Sequence, residues 1–452
     1  MGGPSRDCNG ARPKRYYKHG RWKRVLQRLV RQTVKYLVTG SPGMSMRRGR
    51  PDLDGLAMQD LGLYLHVPFC RHPCFYCPYF KETYDEAKAR AYARAVREEI
   101  SFYASRLDGA AITDFYIGGG TPTTMMDSGL PEIFREARDR FNVRCAISSE
   151  THPTDVTPDM IERLHRLDVR NVSMGVESFS DSHLNGIGRP YDSQRARQAV
   201  ALLMDAGFDC VNIDIMFGLP DQTADDVHRD IATALSLGVD QISAYPIFTF
   251  PHTGLEDTVR RRGQRLPGMA RRREMLRCIE QLCYRAGMRR SGVWSFTRPD
   301  VDKYSSVTVP RYVGLGAGAG SLIPGFFYIN VFDVDTYIGH MAEKREPPVA
   351  LSIDFSRREE MIHWLYWRIY ETRVDKHAFR TEFDRDFDDV FGTIFALFEL
   401  LGFAVDNGNV VEMTDRGNYW VHVLQNLFSL DFIGRVWQTC LEETWPQKIS
   451  LV

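Results

Sequence analysis

The chain contains no apolar run of roughly 18 residues, the length a membrane-crossing helix needs. Its start has no short apolar core of the kind that directs secretion. The expected address is therefore cytoplasmic, with peripheral membrane association as the variant. Cysteine is scarce and odd in number, nine in 452 residues, which argues against a secreted disulfide framework. Internal repeats and low-complexity tracts are lacking as well. Net charge is absent, with 58 Lys/Arg against 58 Asp/Glu. The apolar share of 43% and charged share of 26% read as a globular chain long enough to bury a large core.

The zero balance conceals an asymmetry. Residues 1–52 hold 14 Lys/Arg and only Asp7 and Asp52, a balance of +12, so the remainder carries −12. A basic arm on an acidic body suggests an anionic surface or partner for the arm, or docking of the arm on the body. Within it, Trp22, Val25, Leu26, Leu29, Val30, Val34 and Leu37 follow helical spacing between basic residues. This predicts a basic amphipathic helix over 21–38. Residues 40–54 read as a Gly-, Pro- and Arg-rich linker.

From Leu61 onward, short apolar runs alternate with longer amphipathic stretches. The runs cover 61–67, 114–118, 146–151, 171–176, 210–217 and 241–247, and the stretches 84–106, 128–139, 157–167, 193–207 and 221–237. Such alternation predicts about six βα units on a parallel sheet, an α/β partial barrel rather than a closed one of eight. Its active site should lie at the C-terminal strand ends. Residues 310–325 read as a Gly-rich turn. Helical patterns at 356–371, 375–384 and 388–401, a hairpin at 403–413 and a last helix from Asp415 predict a winged-helix-like C-terminal domain. The expected division is 1–54 basic arm, 55–325 partial barrel and 326–452 C-terminal domain.

The one tight cysteine group is Cys70-Arg-His-Pro-Cys74-Phe-Tyr-Cys77, a C-x3-C-x2-C loop directly after the first strand. Three thiolates on one loop can hold three irons of a cubane cluster. The fourth iron then stays open to the amino and carboxylate groups of S-adenosylmethionine (SAM), next to the sulfonium that receives an electron. A zinc site usually shows two Cys/His pairs, and no second pair lies near. Three unligated thiols within eight residues would be a poor way to build a core. One unit further on, Gly118-Gly119-Gly120-Thr121 offers backbone groups to a ligand at close range. Glu150, Glu177 and Asp214 fall at or near strand ends, and Arg189 follows the fourth strand. Each alone reads as a solvated terminus. Together they suit a ligand carrying an ammonium, a carboxylate and a ribose. Tyr245, Phe248 and Phe250 could shield the barrel mouth or simply pack the core.

The set YLHVPFCxxxCxxC, GGGTPT, SSETHP, NVSMGVESF, IMFGLPDQT and GLGAGAGS resembles the radical SAM family of oxygen-independent coproporphyrinogen III oxidase, over about residues 64–428. The resemblance implies a partial β/α barrel, a [4Fe-4S] cluster on Cys70, Cys74 and Cys77, one SAM and a possible second. It implies reduction by flavodoxin or ferredoxin, and a 5′-deoxyadenosyl radical that attacks an organic small-molecule substrate. Tyr64, Gly119, Glu150 and Gly320 match positions lining the cluster-bound SAM. Tyr76, Gly120, Thr121, Glu177, Arg189, Asp214 and Phe248 match positions around a second SAM. Glu177 stands where the decarboxylase has Gln, and Tyr79 where it has a further Cys. The stretch before GLGAGAGS lacks the HNxxYW of the haem chaperones. What remains resembles branches that transfer methyl groups or modify tetrapyrroles. The competing expectation is a non-catalytic haem carrier, with His252, His340 and His422 as conceivable ligands.

Overall fold

The computed structural model describes residues 45–53, 58, 60–107, 109–250, 252–304 and 309–450. The expected amphipathic helix over 21–38, and Cys8, lie outside the described residues.

The apolar runs become six adjacent parallel strands: Asp60–Val67, Ala111–Gly119, Ile147–Thr151, Val169–Glu177, Cys210–Phe217 and Gln241–Pro246. The amphipathic stretches become the helices Glu86–Ala104, Leu130–Arg140, Pro158–Arg166, Ser193–Asp205 and Ala224–Ser236. Their starts are set locally. Asp85, Thr157 and Asp192 each accept the backbone N–H three residues on, and Thr223 with Asp226 closes a capping box. Because strand side chains alternate, Val172, Met174, Val211, Ile213, Ile242 and Ala244 share the face buried under the helices. The opposite face is polar. There Asn212 donates to Ser173 Oγ (2.7 Å) and Asp214 Oδ1 (3.0 Å), and accepts from Ser243 Oγ at 2.9 Å. The α/β partial barrel thus has a hydrogen-bonded lumen.

The sheet continues past both ends of these six strands. Tyr312–Leu315 runs parallel beside the first strand. Gly320–Ile323, Phe326–Asn330 and Val349–Asp354 follow antiparallel, then Ser45–Arg47 and Lys448–Ser450. Ser295–Thr297 and Arg289–Arg290 extend the other end, and with Asn142–Val143 paired beside Ala111–Gly119 the sheet has 15 strands among the described residues, in an order that does not close. Two expectations are corrected. Residues 310–325 are not one turn but two paired strands around the turn at 316–319. The 40–54 stretch is not all linker, since Ser45–Arg47 is held between two strands. A three-residue strand flanked by Gly and Arg has too little periodicity to reveal itself before its partners are known. The sheet also runs through residue 325, the expected boundary, without a break.

Beyond it, Arg357–Tyr370, Lys376–Phe383, Phe387–Leu400 and Asp415–Glu442 are helices, and Arg373–Asp375, Ala404–Asp406 and Val410–Met413 form a separate three-stranded sheet. Their own core is aromatic, built on Trp364, Phe379, Phe387 and Phe395. This is the expected helical unit with a β-wing. Among the described residues no helix is long and apolar enough to cross a membrane.

Glu99 fixes the glycine turn to the barrel. It is fully buried and accepts from Gly316 N–H (2.7 Å), Asn330 Nδ2 (2.8 Å) and Tyr337 OH (2.5 Å). Gly316 sits at φ 103°, and a Cβ there would fall 2.0 Å from the Tyr92 hydroxyl, so the position requires glycine. Burial pushes the Glu99 carboxyl up to about 7, against the pull of its donors. The folded state therefore holds this proton more tightly than the unfolded chain, and the group's contribution falls as pH rises from the ordinary carboxylate range through about 7. The stability of the native protein relative to Glu99→Gln should drop by on the order of 2 kcal/mol between acid and mildly alkaline pH. Denaturant titrations of both proteins at each pH measure this, and a gap that widens with pH contradicts it.

Candidate functional site

The C-terminal ends of the first two parallel strands form the floor of the site. Chain leaving the first strand turns at Pro68 into the cysteine loop. Gly120 N–H donates to Val67 O (2.7 Å) and Thr121 N–H to Phe69 O (2.8 Å), binding the GGGT segment to the start of that loop. A Cβ on Gly120 would stand 2.6 Å from Phe69 O and 3.0 Å from Cys70 Sγ. Gly120→Ala should therefore displace the loop and lower iron per chain in the reconstituted protein severalfold, with little change in helix content. Full iron loading would contradict this.

Cys70 is buried, Cys74 and Cys77 are half-buried, and all three are free thiols. Thr121 Oγ1 donates to Cys70 Sγ at 3.7 Å. Burial pushes the Cys70 thiol up to about 12, so an unligated Cys70 would stay protonated and inert. Lys81 Nζ donates to Cys77 O (2.8 Å) and Tyr79 O (3.3 Å), and His252 bonds Pro78 O at 3.0 Å, so the loop is clamped from both sides. Among the described residues no three His, Cys, Asp or Glu side chains converge on a single ion. Donor softness, spacing and the Thr121 hydroxyl on a sulfur all fit a cubane cluster.

Beside the loop, Glu150 accepts from Gly119 N–H (3.1 Å) and Tyr116 OH (2.5 Å). Burial raises its carboxyl to about 7. Tyr64 OH bonds His66 Nδ1 at 2.8 Å, and His66 Nε2 bonds Phe80 O at 3.1 Å. Burial pushes this imidazole down to about 4, so it is neutral, accepting from Tyr64 and donating to the chain just after the cysteines.

A second group surrounds Glu177, which ends the fourth strand at φ 64°, a left-handed conformation rare for a residue with a long side chain. It forms a buried ion pair with Arg189 and accepts from Tyr245 OH (3.0 Å) and weakly from Tyr76 OH (3.5 Å). The Arg189 guanidinium lies 5.7 Å from the Tyr76 ring centre and 5.8 Å from that of Tyr191. Its Nε is buried with no partner among the described residues. Asp214 lies in the adjacent lumen, its carboxyl held well above the ordinary range by burial and then by Glu177 and Glu150.

Tyr64, Gly119, Glu150, Gly120 and Thr121 thus gather around the cysteine loop, and Tyr76, Glu177, Arg189 and Asp214 gather next to it. Phe248 is half-buried against Phe250, itself against His252, on the rim. Gly320 lies one strand over from Tyr64, its carbonyl oxygen facing Gly314, which is paired with Tyr64. It begins the strand that folds back on Tyr312–Leu315, with a Cβ position facing the Phe327 ring at 3.2 Å. The haem-ligand candidates do not converge. His252 is tied to Pro78 O, His340 lies against Trp445, and His422 is buried between Trp294 and Tyr370. Residues not singled out in advance include Lys81, Tyr191, Tyr304 and His152, the last with its ring 5.1 Å from that of Tyr191. His152 and Lys81 fall within or just after motifs already quoted, which is the signal that could have marked them.

Residues 64–234 match the Radical SAM superfamily. The chain is 26% identical over 361 residues to the haem chaperone HemW of Bacillus subtilis, covering 78% of this chain and 95% of that protein. It is 24% identical over 377 residues to anaerobilin synthase of Escherichia coli O157:H7, covering 81% and 84%. The solved coproporphyrinogen III oxidase HemN of Escherichia coli, described as a radical SAM enzyme, superposes with a TM-score of 0.72 at 21% identity, covering 88% of this chain and 96% of that one. This likeness shows the fold. A radical SAM domain brings a [4Fe-4S] cluster and SAM as cofactors.

Proposed function

We propose that the chain, whose residues 64–234 match the Radical SAM superfamily, is an enzyme that cleaves SAM to modify an organic substrate. The observation that carries this reading is the seating of three free thiols on one loop, bonded to a glycine segment whose next backbone N–H reaches Glu150.

Cys70, Cys74 and Cys77 would hold the cluster and leave one iron open. When bound, the cluster supplies the electron that breaks a carbon–sulfur bond of SAM, yielding methionine and a 5′-deoxyadenosyl radical. This chain's residues do the rest. Gly119, Gly120 and Glu150 would position the methionine portion, with Glu150 accepting from its ammonium. Tyr64, held by His66, would flank the same ligand. Glu177, Arg189, Asp214 and Tyr76 would receive a second polar ligand, for which a second SAM serving as methyl donor is the reading we favour. Tyr245 and the Phe248–Phe250 rim would hold the reacting carbon near the radical and keep water out. The substrate class is a tetrapyrrole or another conjugated or lipid-like molecule.

Product analysis after anaerobic turnover tests this directly. S-adenosylhomocysteine alongside 5′-deoxyadenosine supports methyl transfer, and equilibrium binding of a single SAM per cluster overturns it. A second reading, a haem carrier that retains the cluster, is favoured by similarity to the protein named haem chaperone. Tight haem binding without 5′-deoxyadenosine would establish it instead.

The basic arm is proposed to meet an anionic surface or partner. Arg48 lies over the Trp445 ring (5.0 Å), Arg50 pairs with Glu346 (2.8 Å), and Ser45–Arg47 is a sheet strand, so a clean truncation stops at residue 44. Removing 1–44 should leave iron content unchanged and weaken binding to anionic liposomes. Unaltered binding would count against the assignment.

A further inference from the structure

An arginine-rich surface lies against the cysteine loop. Residues 260–277 contain eight Arg and one acidic residue, Glu274, although the chain beyond residue 52 carries a net −12. They span the end of the helix Leu255–Arg261 and the first half of Met269–Arg285. Some of these arginines are structural. Arg272 bonds the carbonyls of Pro267 and Ile247, and Arg273 pairs with Glu280 (3.3 Å). Arg261, Arg265, Arg271 and Arg277 instead project into solvent.

Two contacts bring this surface to the cluster ligands. Gly254 N–H, at the helix start, donates to Phe75 O at 3.0 Å, and Phe75 lies between Cys74 and Cys77. The Arg262 guanidinium sits 5.9 Å from the Phe75 ring centre and donates to Gly186 O at 2.6 Å. The apolar underside, Leu255 and Val259, packs with Tyr76, Ile187 and Leu219. On the cysteine loop itself Arg71, His72 and Pro73 are exposed. A positive surface therefore continues into the exposed outer edge of the loop that would carry the irons.

We propose that residues 260–277 and the outer edge of the cysteine loop form the docking surface for a small acidic one-electron carrier, a flavodoxin- or ferredoxin-type protein. This rests on the cluster assignment made above and adds the place of electron entry. The step is a single electron: the carrier is oxidised by one electron and the cluster reduced by one, with no atom transferred. Opposite charge steers such an encounter and orients the carrier's redox centre toward the loop, an effect that weakens as salt shortens the screening length to about 8–10 Å.

The test uses the full chain with its cluster reconstituted, flavodoxin as the probe, and the variant R261E/R265E/R271E, whose changes lie outside the site residues. Calorimetric binding of oxidised flavodoxin at low salt should weaken by roughly tenfold or more, and wild-type affinity should fall with added salt. Electron transfer from reduced flavodoxin should slow in parallel, whereas reduction by dithionite should be unchanged. Equal flavodoxin binding by variant and wild type overturns the proposal. So does a variant that loses affinity for RNA or anionic vesicles but not for flavodoxin. Failure of dithionite to reduce either protein would reject the cluster assignment, and the binding measurement would still decide the docking surface.

Discussion

Changing Cys70, Cys74 or Cys77 singly to alanine should abolish SAM cleavage while leaving the fold in place. In the proposed assignment each thiolate would hold its own iron, so loss of one would remove a ligand that the other two cannot replace. Iron and sulfide per chain should fall to a small fraction of wild type. The rate of 5′-deoxyadenosine formation should drop by at least about 10³-fold, equivalent to roughly 4 kcal/mol of barrier. Cys74 and Cys77 are half-buried, so their removal should cost at most about 1 kcal/mol of stability. Cys283 is the control. It is fully buried in the core on the helix Met269–Arg285, and Cys283→Ala should lower stability while leaving iron intact. Metal analysis with thermal melts of the four variants separates the two roles. An iron-loaded, active Cys74→Ala protein would remove the basis for the assignment.

The second large effect is expected at Arg189. Its side chain pairs with Glu177 where both are almost fully buried, and nearby the Asp214 carboxyl is held well above the ordinary range by burial and then by Glu177 and Glu150. Arg189→Met leaves Glu177 as a buried anion with only Tyr76 and Tyr245 to satisfy it. Breaking one side of a buried pair costs about 3–5 kcal/mol. The double variant R189M/E177Q removes both charges and should recover much of the stability. It should still fail to bind a second SAM if these residues receive one. Urea titrations of the two variants read the first effect and equilibrium binding the second. A neutral single variant would show that the pair is solvated and no part of a preorganised site.

How much of this could be read in advance varies element by element. The six strands and their helices were legible because each repeats a strong local period: Cys210–Phe217 alternates Val, Ile and Ile with Asn and Asp, and Thr223 caps its helix from sequence-adjacent atoms. The cysteine loop was legible from spacing alone. The wing was legible too, because its hairpin and aromatic helix lie close together in sequence. Strands that pair over long distances were not. Ser45–Arg47 joins Lys448–Ser450, and nothing in either tripeptide signals the other. Tyr312–Leu315 was hidden by its glycines, which read as a turn until Glu99, Tyr92 and Asn330 are seen bonding to that turn. In the site, Glu177 was visible as a carboxylate at a strand end. Its left-handed backbone and its ion pair with Arg189 depend on tertiary packing.

The central claim is that three thiols at this barrel mouth hold a cluster with one iron open to SAM. The most direct measurement is to reconstitute the wild-type protein anaerobically with iron and sulfide, reduce it with dithionite, add SAM and quantify 5′-deoxyadenosine and methionine. Equimolar formation of the two, absent in Cys70→Ala, is the predicted result. A fully loaded, reduced cluster that leaves SAM intact would contradict it.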